Sequence, residues 1–325
     1  MKESNVLECC FVSGRFLLDV LSFIYSTTSK HAQFVVLSVA PASNALRVTL
    51  QERGALEATL LLREEAFSSF MCRDAELSVR VPLGIFRECL TVLVTAERSA
   101  SFSLGRSSGA NPHLQAQYVT PVLLNVASAL DSMELVVVDE CGESEIRTQC
   151  RIRTFTGSSD QVDLEFHTAD VVLSGIVKSE LLAHALSEID FGGANYADIL
   201  VSESTLCVQS GSYQGGASRT VEIICAEAPE PNERDAQMRG ERSDLVLQWQ
   251  CTEQRRESFR LLSLTRVLRA LNSSQETRMR MNEKGLLAFT IKLCADSFPY
   301  FPVVNRDPSS CILCFVEFVL LPLEE

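Results

Sequence analysis

Only four stretches of this 325-residue chain carry the three-to-four-residue apolar spacing of a helix; its other apolar residues fall in period-two or continuous runs. The helical stretches are 14–25, 83–94, 179–190 and 261–271. The strand-like runs are 6–12, 33–40, 45–51, 56–62, 75–81, 100–104, 115–120, 133–139 and 145–155 in the first half. In the second half they are 171–177, 197–202, 204–210, 218–225, 244–251, 275–281, 285–293 and 311–321. Each half thus reads strand, helix, several strands, helix, several strands. The first helices of the halves lie 165 residues apart and the second helices 178 apart, from their starts at 14 and 179 and at 83 and 261. The 13-residue difference calls for an insertion in the second half, and the polar, proline-containing segment 226–243 (AEAPEPNERDAQMRGERS) supplies it. The pattern predicts an α+β protein built by tandem duplication of a sheet-rich unit with two helices. Its N-terminal domain is expected over 1–155 and its C-terminal domain over 166–325, joined by a linker at 156–165.

Several function classes are excluded at once. Hydrophobic residues at 46% and charged residues at 22% are ordinary for a protein with cores, not for a disordered chain. No run approaches the ~18 apolar residues of a membrane helix, and the N-terminus lacks a basic-then-apolar leader, so a cytosolic or nuclear location is expected. The net charge of −13 argues against a protein that coats nucleic acid by a general positive surface, although one locally basic face is compatible with it. Twelve cysteines in a reducing compartment are expected to stay free and mostly buried. The single CxxC, Cys311 to Cys314, has no second pair and lies in a strand-like run, where residues three apart face opposite sides.

The helix projections locate the candidate basic face. Opposite the apolar stripes lie Arg15, Asp19 and Ser22 on the first helix and Arg87, Glu88 and Thr91 on the second. On the third lie Glu180, Ala183, His184 and Ser187, and on the fourth Arg266 and Arg269. These four faces carry one net positive charge, against −13 for the whole chain. Leu262 falls on the polar side of the fourth helix.

Catalytic signatures are sparse. The four histidines form no metal-binding pair, and neither a nucleophile elbow nor a phosphate-binding loop occurs. The best candidate is Asp163 with Glu165, which share a face in a strand and could begin a two-metal nuclease site with Asp170 or Asp190. The more economical reading is that both carboxylates solvate the region between the halves.

Some segments resemble a known family. QCRIRTFTGSSDQVDLEFHTADVVLSGIVKSELLAHALSEID (149–190), the terminus FVEFVLLPLEE (315–325), the stretch 258–293 and GIFRECLTVL (84–93) are similar to PCNA-like DNA sliding clamps. Among these the resemblance is to the RAD-one-type subunit of the nine-one-one DNA-damage checkpoint clamp. It implies two tandem PCNA-like domains, each with two helices packed on antiparallel sheets. It also implies a nuclear, non-catalytic subunit without a cofactor or metal, in a heterotrimeric ring with two related subunits. A clamp loader would place the ring around double-stranded DNA, and checkpoint and repair proteins would bind its outer face. In such rings the helices line the hole, which would turn Arg15, Arg87, Arg266 and Arg269 toward DNA with Lys178 nearby. Sheet edges pair between neighbouring subunits; here they are expected within 97–120 and 204–225. A 3′–5′ exonuclease and another PCNA-like clamp subunit are the alternative readings. The insert at 226–243 and the long loop 295–310 depart from the family pattern.

Overall fold

The computed structural model describes residues 5–26, 32–40, 45–52, 55–73, 77–104, 121–127, 129–141, 144–156, 164, 166–189, 193–211, 218–225, 245–301 and 311–323. The chain divides into two compact units. Unit 1 comprises Met1–Leu50, Leu60–Asp160 and Cys294–Cys314; unit 2 comprises Gln51–Thr59, Gln161–Leu293 and Phe315–Glu325.

The first half of the chain runs β1 (Asn5–Phe11), α1 (Gly14–Ile24), β2 (Phe34–Ala40), β3 (Ala45–Glu52), β4 (Leu56–Leu62) and β5 (Phe67–Cys72). It continues with β6 (Ser78–Pro82), α2 (Leu83–Leu104), β7 (Val122–Ala127), β8 (Ser132–Cys141) and β9 (Ser144–Arg153). The second half runs β10 (Val171–Lys178), α3 (Ser179–Ile189), β11 (Tyr196–Val201), β12 (Thr205–Gly211), β13 (Thr220–Ile224) and β14 (Val246–Cys251). It ends with β15 (Arg255–Arg260), α4 (Leu261–Leu271), β16 (Glu276–Asn282), β17 (Leu287–Cys294) and β18 (Ile312–Leu320).

Hydrogen-bonded strand order is the same in both halves. In the first it is β5-β1-β7-β8-β9 and β6-β2-β3-β4; in the second it is β14-β10-β16-β17-β18 and β15-β11-β12-β13. Adding nine to each strand number of the first set gives the second. The pairs with a resolved register are antiparallel, for example Cys9↔Leu124 in β1–β7 and Gly175↔Met279 in β10–β16.

Local chemistry explains the elements. In β4 and β12 every second residue is buried, the period of a strand with one face in a core. Ser13 caps α1, its Oγ accepting from the Phe16 N–H at 3.2 Å. The buried side of α1 is Phe16, Leu17, Val20, Leu21, Phe23 and Ile24, the stripe expected from the sequence. In unit 1 the Phe298 and Phe301 rings stand edge-on to Phe16, at 4.9 and 5.5 Å between centroids. The start of the 295–310 loop is therefore anchored on α1. In unit 2 the buried side of α4 joins Phe259, Met279, Met281 and Phe289 in the core. Gly285, at φ +78°, makes the turn between β16 and β17 in a backbone region that favours glycine.

Three strands, β5, β7 and β15, went unrecognised in the sequence, and one expected strand is helical. Residues 100–104 belong to α2, which runs on to Leu104. Its Ala, Glu and Arg residues favour helix, although SFSL alternates like a strand. The same correction applies to an edge strand expected within 97–120: residues up to 104 are helical and 105–120 lie outside the described residues. The insert 226–243 also lies outside them.

The chain's one tryptophan fixes a close approach. Gly175 on β10 faces Trp249 on β14, and a Cβ at Gly175 would fall 2.5 Å from Trp249 Cε3. The indole N–H donates to the Ser202 carbonyl at 2.9 Å, so the ring is held at one end. Gly175→Ala is expected to destabilise by about 1 kcal/mol, the lower end of overpacking costs. Urea unfolding followed by Trp249 fluorescence would measure this; unchanged stability would show that the ring is free to move aside.

Candidate nucleic-acid interface

In unit 1 α1 neighbours α2, and in unit 2 α3 neighbours α4. Each helix buries one side and turns the other outward, so the outward sides are where a polyanion can be met. Arg15 lies in the first turn of α1 with a side chain 49% exposed, its Nε 3.3 Å from Asp19 Oδ2. Asp19 also accepts from the Tyr300 hydroxyl at 2.5 Å. Burial, and then this bond, push the Tyr300 phenol well above its ordinary range, so it remains a donor. An exposed i,i+4 pair of this kind contributes ~0.3–0.5 kcal/mol, and Arg15 is readily released to another anion.

Arg87 on α2 is half-buried, with its guanidinium 4.2 Å from the centre of the Tyr25 ring beyond the end of α1. The outward side of α2 is less polar than expected, because Ile85 and Val92 are exposed beside Glu88 and Thr91. On α3, Glu180, His184 and Ser187 are exposed as expected, whereas Ala183 is buried. Lys178, at the end of β10, places Nζ 3.3 Å from Glu276, which Lys292 approaches at 3.9 Å.

On α4 one expectation is overturned. Arg266 is not on the outward face: it is only 7% exposed, and Nη2 donates to Glu52 Oε1 at 2.6 Å inside unit 2. The helix is rotated from its sequence projection, so that Leu262 and Arg269 are exposed, with Thr265 half-exposed between them. The sequence held the clue in Leu262, which fitted the polar side poorly. Arg269 stays outward in the last turn, where its charge complements the helix dipole.

The described residues offer little for catalysis. Asp163, Glu165 and Asp190 lie outside them, and Asp170 is exposed. Among the described residues no group of three or more His, Cys, Asp or Glu side chains is placed to share a metal ion. The described cysteines are free. Burial raises the thiols of Cys9 and Cys314, the latter within β18, and that of Cys89 to about 11, where the neighbouring Cys150 adds to the effect. These thiols are poor nucleophiles at neutral pH. No described helix is long and apolar enough to cross a membrane.

Comparison with known proteins agrees with this architecture. Residues 15–293 match the family model described as repair protein Rad1/Rec1/Rad17. The mouse protein named cell cycle checkpoint protein RAD1 is 21% identical over 282 residues, covering 87% of this chain and 82% of that protein. The human protein of the same name is 19% identical over the same length and the same shares. The family match runs from α1 to β17, short of each by one terminal residue, and on that extent the chain belongs to the Rad1/Rec1/Rad17 family of repair proteins.

Proposed function

We propose that this chain is a non-catalytic subunit of a heterotrimeric DNA-damage checkpoint clamp that encircles double-stranded DNA in the nucleus. A clamp loader would place it there, and its outer face would recruit checkpoint and repair proteins. The observation that carries the reading is the family match across 15–293, with relatives named as cell cycle checkpoint proteins. The repeated strand order, with two helices in each repeat, supports a division into tandem PCNA-like domains at 1–155 and 166–325, linked by 156–165.

Open sheet edges support the assembly. Among the described residues β9 ends one sheet of unit 1 and β13 ends one sheet of unit 2. Each presents an exposed isoleucine, Ile146 on β9 and Ile224 on β13. An unpaired edge with apolar side chains is a template for another strand, and pairing it with a related subunit removes the aggregation risk. Ile146→Asp and Ile224→Asp are each expected to leave the isolated chain's stability unchanged within ~0.5 kcal/mol, as exposed positions do. Each is expected to weaken assembly with one of the two related subunits about tenfold, because an unpaired charge would be buried where an apolar side chain packs. Native mass spectrometry of the three co-expressed subunits reads this out. Wild-type levels of heterotrimer in both variants would sink the ring.

In the proposed ring Arg15, Arg87, Lys178 and Arg269 face the DNA and contact phosphates, because a sliding ring must not read bases. Arg266 is left out of the set because its charge is buried against Glu52.

A further inference from the structure

The face of β14-β10-β16 in unit 2 that bears Ser174 carries a polar groove. Its volume is about 320 Å³, and it lies over Ser174, Gln248, Gln250, Arg278 and Arg280, closed at one end by Thr252. The strand registers order these side chains in two rows. One row is Gln250–Ser174–Arg280 and the next is Gln248–Ile176–Arg278. Each row begins with a glutamine on β14 and ends with an arginine two strands away. The rows are two residues apart, ~6.6–6.8 Å along the strand.

The charges are unbalanced. Arg278 is exposed, its only hydrogen bond among the described residues is to Ser174 Oγ at 3.3 Å, and it makes no ion pair among them. Arg280 donates to Glu317 Oε1 at 2.7 Å and its guanidinium lies 5.0 Å from the centre of the Phe166 ring, so its charge is already shared. The Gln248 and Gln250 amides are exposed and make no hydrogen bond among the described residues. In a chain of net charge −13, an arginine with no ion pair among the described residues, beside a second arginine, is a local exception. Beyond the glutamines, β14 is the last strand of its sheet among the described residues.

We infer that this groove is a docking site for an extended acidic peptide of a partner protein, with Asp or Glu side chains at alternate positions. A β-strand carries its i and i+2 side chains on one face at the spacing of the two rows, so one carboxylate meets Arg278 while the next lies over the Gln250 amide and Ser174 in the neighbouring row. Guanidinium groups bind carboxylates through charge-assisted, often bidentate hydrogen bonds, and the glutamine amides add neutral donors along the same rows. Duplex DNA fits less well, because its phosphates need several unpaired cations in a line and this groove offers one full unpaired charge.

The test is a selection. A display library of random twelve-residue peptides is panned on the full chain and on Arg278→Gln and Gln250→Glu, both at exposed positions with folding checked by circular dichroism. The wild-type chain is expected to enrich peptides with acidic residues two apart, despite a net charge that repels them. An enriched peptide, made synthetically with a fluorescein label, is expected to bind at least tenfold more weakly to each variant in anisotropy titrations. Replacing its Asp and Glu by Asn and Gln is expected to weaken binding comparably. Absence of acidic enrichment, or enrichment unchanged in both variants, overturns the inference. So does a loss of duplex-DNA affinity in Arg278→Gln with peptide binding intact, which would make the groove a nucleic-acid contact.

Discussion

Replacing Glu52 with alanine is expected to lower the free energy of unfolding by about 2–3 kcal/mol, a large effect for a residue outside the apolar core. The reason is its partner. Arg266 has a side chain 8% exposed, and its Nη2 donates to Glu52 Oε1 at 2.6 Å, while Nε and Nη1 have no hydrogen-bond partner among the described residues. Removing one member of a buried ion pair leaves an uncompensated charge and typically costs ~3–5 kcal/mol. Glu52 is 29% exposed, so water reaches the site and the lower figure applies. Arg266→Met should be much milder, because it removes the buried charge and fills a similar volume. Glu52→Ala combined with Arg266→Met should therefore be more stable than Glu52→Ala alone. Chemical denaturation of the four proteins completes the cycle. A double variant no more stable than Glu52→Ala would show that Glu52 acts through something other than Arg266.

Reversing two outward arginines, Arg15→Glu with Arg269→Glu, is expected to weaken binding of the assembled ring to linear duplex about 60-fold near 0.1 M salt. Each lost phosphate contact removes a counterion-release factor of roughly eight at that salt, and flattens the log-affinity against log-salt slope by ~0.9. The pair should flatten it by ~1.8. Assembly should be unaffected, since neither residue lies on β9 or β13. Arg269 lies in the last turn of α4, where loss of the positive charge costs ~0.3–1 kcal/mol, so Arg269→Gln serves as a stability control. An assembled double variant with the wild-type salt slope would mean that these faces do not meet DNA.

The comparison of Arg266 with Arg269 shows where a projection stops being informative. Both are three residues apart on one short helix, and both lie opposite the strongest apolar residues by sequence alone. Only the packed structure separates them, by supplying Glu52, 214 positions away, as a partner that lets one guanidinium be buried. The exposure of Leu262, Ile85 and Val92 has the same origin: the side of a helix that faces out is set by what the neighbouring elements cover.

What the sequence determined by itself was the order of elements and the inward face of those with strong periodicity. Alternation in β1, β4 and β12 and the stripe of α1 follow from local spacing, because a strand or a helix exposes one face whatever it packs against. Repetition of the two-helix pattern was legible for the same reason. Pairing was not. In β15, RRESFR, Phe259 is the one buried side chain, and the segment is a strand because β11 lies alongside it from Tyr196↔Arg260 to Val201↔Arg255. In β5, FSSFMC pairs with β1 although its apolar and polar residues do not alternate along the sequence. The two rows of the unit 2 groove join residues of β10, β14 and β16 that are up to 106 positions apart, from Ser174 to Arg280. Such rows exist only once strands are in register, and register is set by the burial of whole sheets rather than by any one segment.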